Sequence, residues 1–312
     1  MFVKFWGVRG SLPMPLSADQ VRSKIAAVVQ RLRPRDLESA ESRERFLAGL
    51  PPYLFGTIGG NTACLEIRTT RGIIIIDGGT GLRDLGLSLE RRRDPTRKFP
   101  IFFTHFHWDH VQGIPFFSPA FVKGNQLTFA GPFPSIERTI REQMRPPYFP
   151  VTMDVMPASL KFVYLQGDRA RVAGAEVQWK RMNHPGGAFA YRVTEKGRSV
   201  VFATDAEITD REFQQRAENR SFFEGADVLI LDAQYTLEES FSKFDFGHTS
   251  YTMAVNLATE WKVKKLVLYH FDPRHDDRKI WSIRRAAQWH GEQLGAGGPQ
   301  ILAAQEGLEL SL

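Results

Sequence analysis

The chain has 312 residues, of which 42% are hydrophobic and 24% charged, the composition of an ordinary soluble globular protein. Its single cysteine, Cys64, excludes an internal disulfide and gives no support for a thiolate metal site. No apolar run approaches the roughly 20 residues of a membrane helix, and the first residues do not resemble a signal peptide, so we expect a cytoplasmic protein without a membrane segment.

The first part of the chain predicts one strand followed by a helical segment. Residues 2–6 alternate in polarity as a strand does. Residues 17–30 carry apolar side chains at helical spacing behind Ser17, a candidate N-cap, and residues 37–50 predict a second helix. These helices form an insertion at about residues 16–52, which is too short to bury a core of its own.

Strands dominate the remainder, with helices between the later ones. The predicted strands are 62–68, 72–76, 101–104, 127–130, 161–165, 175–182, 189–194, 199–203, 226–231, 265–269 and 307–312. One predicted helix ends at residue 89, and three others lie at 135–144, 249–261 and 277–290. Residues 144–157 carry four prolines and form a candidate lid. This order of elements favours an α/β fold in which two sheets are sandwiched between helices.

The most informative stretch is residues 101–114. An apolar run predicts a buried strand, and directly after it come His105, His107, Asp109 and His110. Alternation of side chains places His105 and His107 on one side of an extended chain, so the two pairs of residues can face neighbouring points. Imidazole and carboxylate groups suit zinc, manganese or iron. The stretch therefore predicts a metal centre at the end of this strand.

Further candidate residues lie at the ends of later strands or beside them. They are His184, Asp205, His248 and His270. With the first cluster they include six of the eight histidines, which indicates one shared site. We assign structural roles to the other two, His275 and His290.

The pattern His-x-His-x-Asp-His at residues 105–110 resembles the signature of the metallo-β-lactamase superfamily. The resemblance implies a four-layer αββα sandwich, with residues 1–312 as a single domain that carries the helical insertion. It also implies two divalent metal ions, with zinc as the first expectation and manganese or iron as alternatives. The first ion would be held by His105, His107 and His184 and the second by Asp109, His110 and His270, with Asp205 bridging both.

Asp77 follows the predicted strand at residues 72–76 and resembles the superfamily's first motif. There the acid orients the loops that carry the metal ligands. The alternative is an Asp-Gly-Gly turn without that role.

Five more segments resemble a bacterial phosphodiesterase branch of the superfamily: residues 5–13, 59–63, 232–236, 247–250 and 270–273. Relatives in this branch include cyclic-nucleotide phosphodiesterases, tRNA 3′-end endonucleases and a cyclic-phosphate enzyme of phosphonate breakdown. The resemblance implies that His248, paired with Asp232, contacts the scissile phosphate or protonates the leaving oxygen, a role that suits imidazole. Asp109 could also hold the proton of the attacking hydroxide.

Thr249 and Ser250 stand at the start of a predicted helix, where their groups could bind phosphate. The alternative for His248 and these hydroxyls is a plain helix cap.

The interval between His184 and Asp205 is too short for the long arm that tRNA 3′-end endonucleases carry there. We therefore expect a metal-dependent hydrolase of a small phosphodiester, most of all a 3′,5′-cyclic nucleotide, acting as a homodimer. The net charge of +6 leaves a nucleic acid partner open, and a tRNA 3′-end processing endonuclease is the first alternative. A mononuclear iron dioxygenase on the same fold is a second. A binding protein without hydrolysis is a third, against which the complete ligand set argues.

Overall fold

The computed structural model describes residues 1–295 and 297–312. The strands are β1 (Phe2–Gly7), β2 (Cys64–Thr69), β3 (Gly72–Ile76), β4 (Lys98–Phe102), β5 (Gln126–Gly131), β6 (Ser159–Tyr164), β7 (Arg169–Val172), β8 (Ala175–Met182), β9 (Ala188–Glu195), β10 (Arg198–Ala203), β11 (Val228–Asp232), β12 (Lys265–Tyr269), β13 (Gln300–Ala303) and β14 (Glu309–Ser311). The α-helices are α1 (Ala18–Val29), α2 (Ala40–Ala48), α3 (Pro52–Phe55), α4 (Gly81–Arg91), α5 (Trp108–Val111), α6 (Ile136–Gln143), α7 (Asp210–Phe213), α8 (Ala217–Phe223), α9 (Leu237–Ser240), α10 (Tyr251–Glu260) and α11 (Asp277–Gln293).

The strands form two seven-stranded sheets, in the orders β14-β1-β2-β3-β4-β5-β6 and β13-β12-β11-β10-β9-β8-β7. In the first sheet β3 to β6 run parallel, and in the second β10 to β13 run parallel. Because the loops that follow parallel strands meet at one edge of a sheet, ligands bind there in open α/β sheets. Three strands that precede predicted metal ligands, β4, β10 and β12, are among these, whereas β8, which precedes His184, pairs antiparallel with both of its neighbours.

The run of four isoleucines in β3 shows why the sheets are stacked in layers. Ile74 and Ile76 pack in the core between the two sheets, whereas Ile73 and Ile75 pack with Leu82 and Leu85 of α4 on the outer face. A strand that is buried on both faces needs apolar residues at successive positions rather than alternate ones. Helices α10 and α11 cover the second sheet in the same way. The result is the predicted αββα arrangement of four layers.

The helical insertion lies on the surface. Ser17 caps α1, since its hydroxyl accepts a hydrogen bond from Gln20 N at 3.2 Å. The second helix is shorter than predicted, because Ser39 is extended and starts a new N-cap for α2 after a separate 3₁₀ turn at Pro34–Leu37. No residue of α1 or α2 is buried.

Some predicted elements differ from the structure. The sequence reading missed β7 and β13, which are edge strands of four residues each, and the short helices α7, α8 and α9. The candidate lid at residues 144–157 is anchored by buried Met144, Met153 and Met156 in the outer core. Among the described helices, none is long and apolar enough to cross a membrane.

Candidate metal centre

The backbone takes an unusual conformation where the site residues leave their strands. Asp77, Asp205 and His270 have φ angles of 63°, 50° and 60° and follow β3, β10 and β12. Residues other than glycine rarely adopt this left-handed region, and where they do the surrounding structure must hold them. Such residues cluster at functional sites, and here they turn three strand ends toward one point.

Four side chains form a first group of potential metal ligands: His105, His107, His184 and Asp205. One ligand atom from each lies within 4.8 Å of all the others. His184 Nε2 is 3.3 Å from His107 Nδ1, and Asp205 Oδ1 is 3.7 Å from His105 Nε2 and 3.8 Å from His184 Nε2. Two atoms bound to one tetrahedral zinc ion at about 2.0–2.1 Å lie roughly 3.3–3.4 Å apart, so the spacing suits one ion.

A second group contains Asp109, His110, Asp205 and His270, again with ligand atoms within 4.8 Å of one another. Asp109 Oδ2 lies 3.2 Å from both His110 Nε2 and His270 Nε2. Asp205 Oδ2 lies 3.2 Å from His110 Nε2 and 3.1 Å from His270 Nε2. These separations fit one small tetrahedral ion more closely than those of the first group.

Asp205 belongs to both groups through different oxygens. Its Oδ1 faces His105 and His184, and its Oδ2 faces His110 and His270. The structure thus brings together all seven residues predicted as ligands, in the predicted division and with Asp205 between the two groups. Their roles as ligands stay predictions.

The state of the donor atoms fits cations. His105 Nε2 and His110 Nε2 are buried and have no hydrogen-bond partner among the described residues. Leaving a buried polar atom unpaired costs about 1–3 kcal/mol, which a metal ion would relieve. Burial and the neighbouring His110 lower the pKa of His105, and burial lowers that of His184, which favours the neutral ligand form. Asp109, Asp205 and Asp77 outweigh burial and raise the pKa of His110, so an ion that binds there must displace a proton.

The carboxylates of the site stay ionised. Burial raises the pKa of Asp109, but the adjacent His110 and His270 outweigh it and hold the pKa well below its usual range. The pKa of Asp205 is lowered in the same way against its burial, first by His270 and then by His110 and His105. Negative charge at the centre of the histidine cluster therefore matches two divalent cations.

Asp77 orients His110. Its carboxylate lies 2.8 Å from His110 Nδ1 and also accepts a hydrogen bond from the backbone N–H of Thr104 at 2.8 Å. With Nδ1 engaged, His110 presents Nε2 to the second group, which is the arrangement that metal-bound histidines usually have. This geometry supports the orienting role predicted for Asp77 over a plain turn.

Other backbone groups hold the remaining ligands. His184 Nδ1 lies 2.9 Å from the carbonyl oxygen of Gly247, and Ser11 N donates to Asp109 Oδ2 at 2.8 Å. Gly10 packs against the ring of His270 so closely that a Cβ atom would stand 2.5 Å from Nδ1. A side chain at this position would push His270 out of place.

His248 and Asp232 form a pair beside the second group. His248 Nδ1 lies 2.7 Å from Asp232 Oδ2, and the His248 ring stacks on that of His270 with centroids 5.1 Å apart. Burial lowers the pKa of His248, but Asp232 outweighs it and raises the pKa to about 9. Since Nδ1 is engaged, only Nε2 is left to meet a ligand.

Asp232 is fully buried and has hydrogen-bond partners besides His248. It accepts backbone hydrogen bonds from Asp205 at 3.1 Å, Gln234 at 3.1 Å and Thr249 at 3.2 Å. Atoms of Asp232, His248 and His270 also lie within 4.8 Å of one another, the spacing of a metal site. The backbone bonds already occupy the carboxylate, which favours the predicted role as partner of His248.

Thr249 and Ser250 are buried and bonded within the protein. Thr249 Oγ1 accepts from Ile208 N at 3.3 Å, and Ser250 caps α10 by accepting from Met253 N at 3.4 Å. The contact of Ser250 is that of a helix cap, and the contact of Thr249 ties it to the segment after β10. The predicted contacts of both hydroxyls with phosphate stay a prediction, and the geometry gives them no support.

The sequence reading missed three residues that shape the site. Ser11 lies in a segment that carries the resemblance, but nothing in the pattern indicated that its N–H binds Asp109. For Thr104 the sequence predicts only the end of a strand and not its hydrogen bond to Asp77. Glu207 accepts hydrogen bonds from Asp245 N and Gly247 N, both at 3.2 Å, and no signal in the sequence marked it.

Comparison with known proteins identifies the family of the chain. Residues 73–271 match the beta-lactamase superfamily domain. Ribonuclease Z of Oceanobacillus iheyensis is 23% identical over 244 residues, which cover 62% of this chain and 78% of that protein.

Two solved structures share the fold. A diphosphatase of the PhnP family superposes with a TM-score of 0.62 at 17% identity, covering 100% of this chain and 97% of that one. The short form of human tRNase Z superposes with a TM-score of 0.58 at 18% identity, covering 100% and 99%. The domain match spans more than half of the sequence and includes all seven residues of the two ligand groups, so the chain belongs to the metallo-β-lactamase superfamily.

Proposed function

We propose that the protein is a dinuclear metal-dependent phosphodiesterase that hydrolyses a small phosphodiester, most of all a 3′,5′-cyclic nucleotide. The observation that carries the proposal is the His248–Asp232 pair stacked beside two adjacent ligand groups that share Asp205. The coarser class, a metal-dependent hydrolase of phosphodiester bonds, agrees with the similarity to ribonuclease Z.

The ligand groups define where the ions would bind. His105, His107, His184 and Asp205 would hold one ion, and Asp109, His110, His270 and the other oxygen of Asp205 would hold the second. When bound, the two ions supply Lewis acidity, lower the pKa of a water molecule and neutralise charge on the phosphate. Asp109 would also hold the proton of the attacking hydroxide, as the sequence predicts.

His248 supplies the proton that the leaving group needs. Hydrolysis adds water across one P–O bond, so the departing alkoxide must gain a proton while the phosphorus gains the hydroxyl oxygen. Imidazolium Nε2 of His248 donates that proton, and Asp232 stabilises the positive charge beforehand through Nδ1. Asp232 raises the pKa of His248, which favours the protonated form of the imidazole.

The chain between His184 and Asp205 favours a small substrate. It is almost entirely taken up by β9 and β10, which are antiparallel neighbours joined by a two-residue turn at 196–197. A protruding arm that grips a tRNA has no place there. The similarity to ribonuclease Z nevertheless makes tRNA 3′-end processing the second candidate function.

One experiment separates the candidates. The metal-free protein is reloaded with zinc, manganese or ferrous iron and offered 3′,5′-cyclic nucleotides, a precursor tRNA and glutathione persulfide with oxygen. We expect hydrolysis of a cyclic nucleotide to the monoester, with slow or no cleavage of the tRNA. Efficient endonuclease cleavage of the tRNA would replace the proposal by the second candidate, and oxygen uptake with the iron-loaded protein would indicate the dioxygenase.

A further inference from the structure

Large aromatic side chains are exposed in two segments that adjoin residues of the metal centre along the chain. Trp108 is 82% exposed, Phe246 58% and Phe244 77%. Tryptophan and phenylalanine are normally among the most buried residues, so exposed rings next to a functional site indicate a surface that binds something. Neither the metal centre nor the His248–Asp232 pair explains them.

A continuous path of contacts joins Trp108 to Phe246. Trp108 directly follows His107, whose Nδ1 lies 3.3 Å from His184 Nε2. His184 Nδ1 in turn lies 2.9 Å from the carbonyl oxygen of Gly247, the residue after Phe246. Trp108 and Phe246 are therefore chain neighbours of two residues that contact His184 of the first ligand group.

The segment that carries Phe246 is held in place by its backbone and its polar side chains. Glu207 accepts hydrogen bonds from Asp245 N and Gly247 N at 3.2 Å. Lys243 Nζ lies 3.3 Å from Asp272 Oδ2 and 3.9 Å from the centre of the Tyr235 ring.

At the start of this segment, Glu239 accepts from Thr236 N at 2.8 Å and lies 3.0 Å from His275 Nε2. These bonds fix the backbone on both sides of the phenylalanines. The exposed rings are thus presented by an anchored segment rather than by a free loop.

We propose that Trp108 and Phe246 form a stacking site for the nucleobase of the substrate; this inference rests on the proposed function. A nucleotide bound with its phosphate at the ligand groups carries its base one sugar away, within reach of the rim of the site. Aromatic rings stack on the flat face of any base, whereas base-specific recognition needs hydrogen-bonding groups. The site therefore takes nucleotides as a class and discriminates weakly between bases.

The test compares two substrates that differ only in the base. One is a 3′,5′-cyclic nucleotide, and the other is the 3′,5′-cyclic phosphate of the same sugar without a base. Trp108→Ala and Phe246→Ala are measured with both, beside Trp108→Phe, which retains a ring. Trp289→Ala is the matched control, because Trp289 is also exposed but lies about 18 Å along α11 from the start of that helix.

Loss of one stacking ring should raise KM for the cyclic nucleotide by about fivefold to a hundredfold, with a much smaller change in kcat. The base-free diester should show a far smaller change in KM. The KM for the base-free diester divided by the KM for the cyclic nucleotide should therefore fall toward the value of a protein without base recognition. Trp108→Phe should recover most of the loss, and Trp289→Ala should behave as the unaltered protein.

An equal change in KM for both diesters, or no change for either, would overturn the stacking site while leaving the hydrolase intact. A change in molecular mass of the variants in solution would also overturn it, since the rings would then bind a second copy of the chain. If the unaltered metal-loaded protein hydrolyses neither diester, the proposed function fails and the stacking site fails with it.

Discussion

Asp205 is the residue on which most of the site depends. Its two oxygens face different ligand groups, its backbone N–H donates to Asp232, and its φ angle of 50° is one that few residues other than glycine adopt. One position therefore links the metal centre to the acid that supports His248.

Replacing Asp205 should reduce the metal content. Asp205→Ala removes one oxygen from each ligand group, so we expect fewer than two ions per chain by elemental analysis after exhaustive dialysis. Asp227→Ala is the matched control. Asp227 is also an aspartate next to the end of a strand, β11, but it contacts neither ligand group. Two retained ions in Asp205→Ala would remove the bridging role.

The role of His248 predicts a dependence on the leaving group. His248→Ala should slow hydrolysis of a diester with a poor alkoxide leaving group by about 10²–10⁴-fold, because no acid then protonates the departing oxygen. The rate of hydrolysis of a diester that releases p-nitrophenolate, a stable anion, should fall much less in this variant.

Metal content should remain at the level of the unaltered protein, since His248 is predicted to bind neither ion. Equal losses with both leaving groups would argue against proton donation, and a loss of metal would make His248 a ligand.

At the scale of elements, Asp227 ties together the starts of three neighbouring strands. It accepts hydrogen bonds from Ser199 N at 2.9 Å, Lys264 Nζ at 2.8 Å and Arg198 at 3.1 Å, and these residues lie in or next to β10 and β12. Burial raises the pKa of Asp227, but these donors outweigh it and lower the pKa.

A carboxyl group with a lowered pKa in the folded state stabilises the fold above its unfolded pKa of about 3.9, and this contribution is lost as the pH falls through the folded value. Asp227→Asn should therefore lower the urea midpoint at pH 7, and the difference from the unaltered protein should shrink in acid. Urea titrations of both proteins at pH 7 and in acid measure this difference in midpoint. A difference that is constant with pH would show that the charge of Asp227 is not the cause.

Long or strongly patterned elements could be predicted from the sequence, and short ones could not. The isoleucine run of β3 and the capped helix α1 lie close to their predicted positions, because burial on two faces and an N-cap leave clear patterns. Strand β7 was missed, since Arg169–Val172 alternates charged and apolar residues over only four positions at a sheet edge. The second predicted helix was too long because Ser39 starts a new cap within it.

The ligand cluster was predictable because four of its members are the compact His-x-His-x-Asp-His motif that follows β4, and the other three come within two residues of the ends of β8, β10 and β12. The contacts of Ser11 with Asp109 and of Glu207 with Gly247 were not, because they join segments whose proximity only the fold creates. The superfamily and the four-layer arrangement are confirmed by the domain match and the structural similarities. The substrate, the identity of the ions, the homodimer and the cytoplasmic location stay predictions.

At the scale of the whole molecule, two sheets bring the seven predicted ligands from distant parts of the chain together, and the central claim is that two ions bound there carry out the hydrolysis. The most direct measurement is the rate of cyclic nucleotide hydrolysis while zinc or manganese is added stepwise to the metal-free protein, with bound metal determined at each step. We predict a rate that rises until two ions are bound per chain and then stays constant. A rate that is already maximal with one ion, or that is equally high in the metal-free protein, would contradict the account.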